Sequence, residues 1–152
     1  MERLKIDVPD TLEFQTELEV RIGDVNYGGH LGNDAVLALL QEARLRFLAQ
    51  SGFSEKDAGG CGLIMMDASI QYVSQAFHGD RLRVEIGLGV SDRIGFELLC
   101  RIRNVVQGRD VARARTGFLF FDYARGKPAR MPELFKTRMI RSAPTLPQES
   151  HS

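Results

Sequence analysis

Residues 24 to 34 read DVNYGGHLGND, and a run free of Gly and Pro, NDAVLALLQEARLRFLAQ, spans residues 33 to 50. Asp24, Asn26, His30 and Asn33 are thus threaded among Gly28, Gly29 and Gly32, just ahead of a helical pattern. The start of a helix offers unpaired backbone N–H groups and the positive end of the macrodipole. Glycines before it let another molecule come close to the backbone. Such a place can hold a phosphate, or polarise a carbonyl oxygen as it becomes an oxyanion. A phosphate site wants a Lys or Arg in the loop; residues 23 to 34 contain none, and Asp24 and Asp34 would repel the ligand. The carbonyl reading fits better, because a carboxylate beside such a site is a nucleophile or a general base. Asp24 alone does not decide the matter, since Asp in a Gly-rich connection is commonly a turn former.

The surrounding pattern says what must hold this loop. EFQTELEVRI (13 to 22) alternates apolar and polar residues, a strand with one buried face, and Gly23 breaks it. The run from 33 to 50 is the one long helix, with Asn33 a fair N-cap, Asp34 favourable in the first turn and Gly52 a natural stop. Val36, Leu37, Leu39, Leu40, Ala43, Phe47 and Leu48 cover over half its circumference, so it is expected to be wrapped by other structure. Only Gln41, Glu42, Arg44 and Arg46 interrupt them, and Glu42 pairs with Arg46 at i,i+4. Strand signals then dominate: 63 to 73, 81 to 90, 96 to 106 and 111 to 124, the last three joined by short turns as an antiparallel meander. A curved sheet around a central helix is the natural solution for one strand, a helix and four strands. Strand 63 to 73, with Leu63, Ile64, Met65, Met66 and Ile70, is an apolar sheet edge that dimerisation would cover. A short helix over ELFKTRMI ends a single domain of residues 1 to 141, and 142 to 152 is expected to be a disordered tail.

Composition narrows the partners. Twenty basic and twenty acidic residues in 152 cancel, so no global field favours nucleic acid or an acidic membrane surface. No apolar run reaches the ~20 residues of a membrane span, and the first residues lack a signal-peptide core. Cys61 and Cys100 are far apart, which fits a reducing cytoplasm. His30, His78 and His151 include no metal-ligand spacing, so no metal is expected.

The run VRIGDVNYGGHLGNDAVLALLQEARLRFL resembles the opening signature of the 4-hydroxybenzoyl-CoA thioesterase family of hotdog-fold enzymes, V-R-x-x-D-x-D-x-x-G-H-x-N-N followed by an apolar helix with E-A-R. Val20, Arg21, Asp24, Gly29, His30, Asn33, Glu42, Ala43 and Arg44 match, and GDRLRVEI, VARARTGFLFFD and RMPELF extend the likeness over residues 14 to 135. Asn26 stands where the family often has a second Asp, and Gly32 replaces the first Asn of its pair. The resemblance implies an α+β hotdog fold, a five-stranded antiparallel sheet around one long helix, and an acyl-CoA thioesterase working as a homodimer or a tetramer of dimers. Coenzyme A would be part of the substrate, with no separate cofactor. By the same resemblance Asp24 attacks the thioester or activates water, and the N–H groups of Leu31 and Gly32 face the oxyanion. His30 would orient the loop or the water. Asn26, Tyr27 and Asn33 would bind substrate. Arg93, from its place in a hairpin turn rather than from the resemblance, is a candidate for the nucleotide phosphates.

Two other functions compete. A hotdog hydratase or dehydratase resembles D-x-N-P-x-H, matched by Asp24 and Asn26, but His30 falls one residue late and Tyr27 replaces the Pro. An acyl-CoA binding module without turnover would keep the fold alone. Asp34 and Glu42 are fallback carboxylates. Asp67, in an apolar strand, needs a partner if buried. Arg101, Arg103, Arg113 and Arg115 share a sheet face that is either solvated or a landing surface for phosphates.

Overall fold

The computed structural model describes residues 1–140; the expected tail lies outside them. Strand β1 is Phe14–Glu19, helix α1 Asn33–Ala49, β2 Gly62–Tyr72, β3 Arg81–Ser91, β4 Gly95–Asn104 and β5 Arg109–Asp122. A two-residue strand, β6 (Lys127–Pro128), and a terminal turn of helix, α2 (Glu133–Phe135), follow, and α2 continues as a wider turn over Lys136–Ile140. The sheet runs β1-β3-β4-β5-β2 with every pair antiparallel, and β6 attaches to the end of β5. This is the hotdog arrangement, with the meander β3-β4-β5 in its middle and β2 at an edge.

Period-two patterning puts Leu82, Val84 and Ile86 of β3 opposite the helix, with Leu98, Cys100 and Ile102 of β4 and Ala112, Ala114, Phe118 and Phe120 of β5. The helix answers with Val36, Leu39, Leu40, Ala43, Phe47 and Leu48, all at most 5% exposed. Each of these side chains except Ala43 contributes about 1.5–3 kcal/mol on burial. Phe135 of α2 closes one end of the core, its ring 4.9 Å from Phe120 and 5.0 Å from Phe96.

The wrapping of α1 is one-sided, which corrects the expectation from its apolar content. Asn33, Asp34, Leu37, Ala38, Gln41, Glu42 and Leu45 are exposed, a continuous face at i, i+3 and i+4 spacing. Arg44, by contrast, is buried: its Nε donates to Glu55 Oε1 at 2.6 Å and its guanidinium lies 4.9 Å from the Phe118 ring centre. Glu42 and Arg46 pair at 3.0 Å as expected. The N-cap is Gly32 rather than Asn33, and Gly52 ends the helix at φ +81°, with the Phe53 N–H returning to Leu48 O at 3.0 Å.

Asp67 is exposed rather than buried, because β2 is an edge and bulges between Met65 and Asp67. The arginines of the outer sheet face are held within that face. Arg101, Arg103 and Arg113 all reach Asp110, at 3.6, 3.1 and 2.8 Å. Arg101 also binds Glu85 and the carbonyls of Val8, Pro9 and Asp10, pinning the first residues of the chain across the sheet. Among the described residues no helix is long and apolar enough to cross a membrane.

Candidate active site

The segment between β1 and α1 folds as a small hairpin. Ile22–Asp24 forms a 3-10 turn, then Val25 bridges to Leu31 and the Asn26 N–H donates to His30 O at 2.9 Å. Asn26 shapes the tip: its Oδ1 accepts the Gly28 N–H at 2.9 Å and its carbonyl accepts the Gly29 N–H at 3.0 Å. Gly29 takes φ +83°, a conformation that a side chain would strain. The chain after β2 returns alongside, so that His30 bridges to Phe77 and the two rings meet edge to face at 6.4 Å.

These contacts leave a cavity of about 310 Å³ beside the helix start. Its polar lining is Asn26, His30, Asn33, Tyr72, Ser74 and Gln75; its apolar lining is Leu31, Val36, Val73, Ala76 and Val111. The Tyr72 hydroxyl donates to Asn33 O at 3.0 Å, tying the end of β2 to the first turn of α1. The Oδ1 of Asn26 is committed to the turn, so its NH₂ is the half left to donate elsewhere. Imidazole is the side chain type that exchanges protons near neutral pH, and His30 is the one His, Asp, Glu, Lys or Arg in the lining.

Asp24 stands behind this cavity rather than in its lining. Its carboxylate is nearly buried, accepting from the Arg21 backbone N–H at 2.9 Å and from the Arg21 guanidinium at 3.3 and 3.4 Å. Burial works against its charge, but these bonds outweigh burial and hold the carboxyl below the usual carboxylate range. A carboxylate so stabilised is a weak base.

The amides expected to face an oxyanion are also engaged. The Leu31 N–H donates to Ala76 O at 2.7 Å, and the Gly32 N–H to Asp24 O at 2.9 Å. A residue 45 positions downstream takes the first donor, a partner no local reading could supply. Among the described residues nothing accepts from the N–H groups of Asn33 and Asp34, so the free donors lie one or two positions further on. Tyr27 points into solvent and lines no cavity described here. Arg93 lies elsewhere, in a larger cleft of about 690 Å³ shared with Arg130 and Lys136. That cleft's two carboxylates, Asp92 and Glu133, share it with three cations, and Asp92 Oδ1 is committed to the N–H groups of Ile94 and Gly95, so the smaller cavity, at the start of the long helix, is the better site for chemistry. Tyr72, Ser74, Gln75 and Val111 escaped the sequence reading, because only the return of the chain over the loop brings them here. No group of three or more His, Cys, Asp or Glu among the described residues could hold a metal ion.

Residues 20–139 match the model of the thioesterase-like superfamily. The chain belongs to that family. Membership makes it a thioester hydrolase and sets the hydratase reading aside. No curated protein matches the sequence. Among solved structures, a 1,4-dihydroxy-2-naphthoyl-CoA thioesterase from Synechocystis is 24% identical over 84% of this chain and 95% of its own, with a TM-score of 0.77. A Staphylococcus aureus protein in complex with CoA is 16% identical over 93% of this chain and 92% of its own, at 0.79. A probable thioesterase from Escherichia coli is 20% identical over 83% and 96%, at 0.68. At such identities these structures speak for the hotdog fold of a thioesterase-like protein, and the site must be argued from its own residues.

Proposed function

We propose that this chain hydrolyses an acyl-CoA thioester at the cavity beside the helix start. One observation carries the reading: Asn26, His30, Asn33 and Tyr72 converge on an apolar pocket, next to helix amides that nothing accepts from. His30 takes a proton from water as the water oxygen attacks the thioester carbon. The carbonyl oxygen gains charge and is met by the Asn33 N–H and by the side-chain amides of Asn26 and Asn33. The intermediate then expels the CoA sulfur as the C–S bond breaks. With a thiol pKa of about 8.5 that sulfur leaves readily, taking the proton from His30 or from solvent. Asp24 is a positioning residue in this scheme: it fixes the turn through Arg21, and its carbonyl holds Gly32 in place.

The CoA held by the Staphylococcus aureus structure supports CoA rather than another carrier as the thiol. Arg93, Arg130 and Lys136 suit the nucleotide phosphates, since no ion partner is described for any of them. The working unit is a homodimer joined along β2, whose edge exposes Met65 and Met66. Two free cysteines fit a reducing, cytoplasmic setting.

Thiol release from a panel of acyl-CoAs tests the reading. Wild type should release thiol, His30→Ala should abolish most of that rate, and Asp24→Asn should keep kcat within about tenfold. If Asp24→Asn were as damaging as His30→Ala in well-folded protein, the base would be Asp24 after all.

A further inference from the structure

The cavity also carries information about the acyl group, and this inference rests on the proposed hydrolysis. Its volume of about 310 Å³ holds on the order of ten non-hydrogen atoms, at the ~30 Å³ that one water takes up. Val36 and Val111 are 2% and 3% exposed, and Val36 belongs to α1 while Val111 belongs to β5. Two elements of the packed core therefore bound the cavity, where a long chain would have to force them apart. No Lys or Arg lines it. An acyl group ending in a carboxylate would push that charge away from the helix start and against Leu31, Val36, Val73, Ala76 and Val111, where it would leave water without a counter-charge, which is costly.

We propose that this cavity is the acyl pocket, that it selects a compact uncharged acyl group of up to about ten atoms, and that Val36 and Val111 set its depth. A single aromatic ring or a chain of six to eight carbons fits; palmitoyl and succinyl do not. The pocket discriminates by length through packing and by charge through desolvation. Each methylene beyond its depth should cost about tenfold or more in kcat/KM.

The test compares hexanoyl-, benzoyl-, decanoyl-, palmitoyl- and succinyl-CoA by thiol release, and by calorimetric binding to the same full-length protein. Hexanoyl- and benzoyl-CoA should exceed palmitoyl- and succinyl-CoA at least tenfold in kcat/KM. Val111→Ala and Val36→Ala each remove two carbons from the pocket wall. They should raise the decanoyl-to-hexanoyl ratio about tenfold while a far-ultraviolet spectrum reports an intact fold. A preference for palmitoyl or succinyl would overturn the proposal, as would variants that scale every acyl-CoA by one factor. The parent reading fails separately: no thiol release, with hexanoyl-CoA still bound in preference to palmitoyl-CoA, would remove the hydrolysis and keep the pocket.

Discussion

The helix start and the outer sheet face are both crowded with polar side chains, yet they treat them in opposite ways. Around Asp110 the charges are paired inside the protein: three arginines converge on one carboxylate, and Arg101 takes three backbone carbonyls besides Glu85, with its buried Nε, 3.6 Å from Asp110, held by charge alone. At the helix start Asn26 commits only half its amide, and two helix N–H groups find no acceptor among the described residues. Polar groups left unspent beside an apolar cavity are available to a ligand; spent ones are structural. Composition alone does not tell these apart, because arginine clusters and Asp-Asn-His loops both look like binding sites until their partners are known.

The sharpest way to break this contrast is His30→Ala. If the unspent groups are the working ones, kcat should fall about 10²- to 10³-fold. Thermal midpoints should move little, since the imidazole's described contact is the edge-to-face meeting with Phe77, worth about 0.5–1.5 kcal/mol. Steady-state thiol release beside a melting curve checks both halves, and a loss of stability matching the loss of rate would erase the distinction between the regions.

Asp110→Ala is the mirror experiment. It leaves Arg101, 5% exposed, with Glu85 as its one remaining carboxylate and takes the shared partner from Arg103 and Arg113, and should cost roughly 2 kcal/mol, or about 4–8 °C in Tm. Activity per folded molecule should be unchanged. A variant that melts like wild type but hydrolyses slowly would mean that the outer face, too, serves the substrate.

Much of the fold was legible in the residues. The alternation of Leu82, Val84 and Ile86, and the short turns between β3, β4 and β5, specify a meander because a strand's period of two admits one buried face. The apolar edge β2 was visible in Met65 and Met66. Arg44 and Leu37 exchanged roles against expectation: a neighbouring Glu55 and the Phe118 ring make burial of an arginine tolerable, while Leu37 lies on a helix face the sheet does not reach. At the site, Asn26, His30 and Asn33 were within reach of local reasoning, as they share one loop. The amides of Leu31 and Gly32 were not, since Ala76 and the Asp24 carbonyl claim them only once the chain has folded back.

A pH titration compares the regions through one carboxylate from each. In both Asp24 and Asp110 burial opposes ionisation, and arginine hydrogen bonds and charge outweigh it, so both carboxyls lie below their ordinary value of 3.8. The unfolded chain then binds protons more tightly than the folded one. The stabilisation is complete above about pH 4–5 and is lost as pH falls through the lowered folded values. Denaturant melts at pH 6, 4 and 3 should show the drop, and Asp110→Asn should flatten it, as the neutral amide no longer titrates. A drop untouched by that change would assign the acid sensitivity to other carboxylates.

The smallest effect belongs to the rim of the outer face. Arg115 and Glu97 meet at 3.8 Å with the Arg115 side chain 54% exposed. A pair so placed gains little in water and is screened by salt, so Arg115→Ala should change stability by less than about 0.5 kcal/mol. Chemical denaturation at low and high salt reads that value directly. A cost approaching that of Asp110→Ala would mean that the number of charges, rather than their convergence on one buried carboxylate, holds this face. The contrast with the helix start would then reduce to charge density. A near-zero cost leaves burial and partner geometry as what separates a charge that supports the fold from one that merely decorates it.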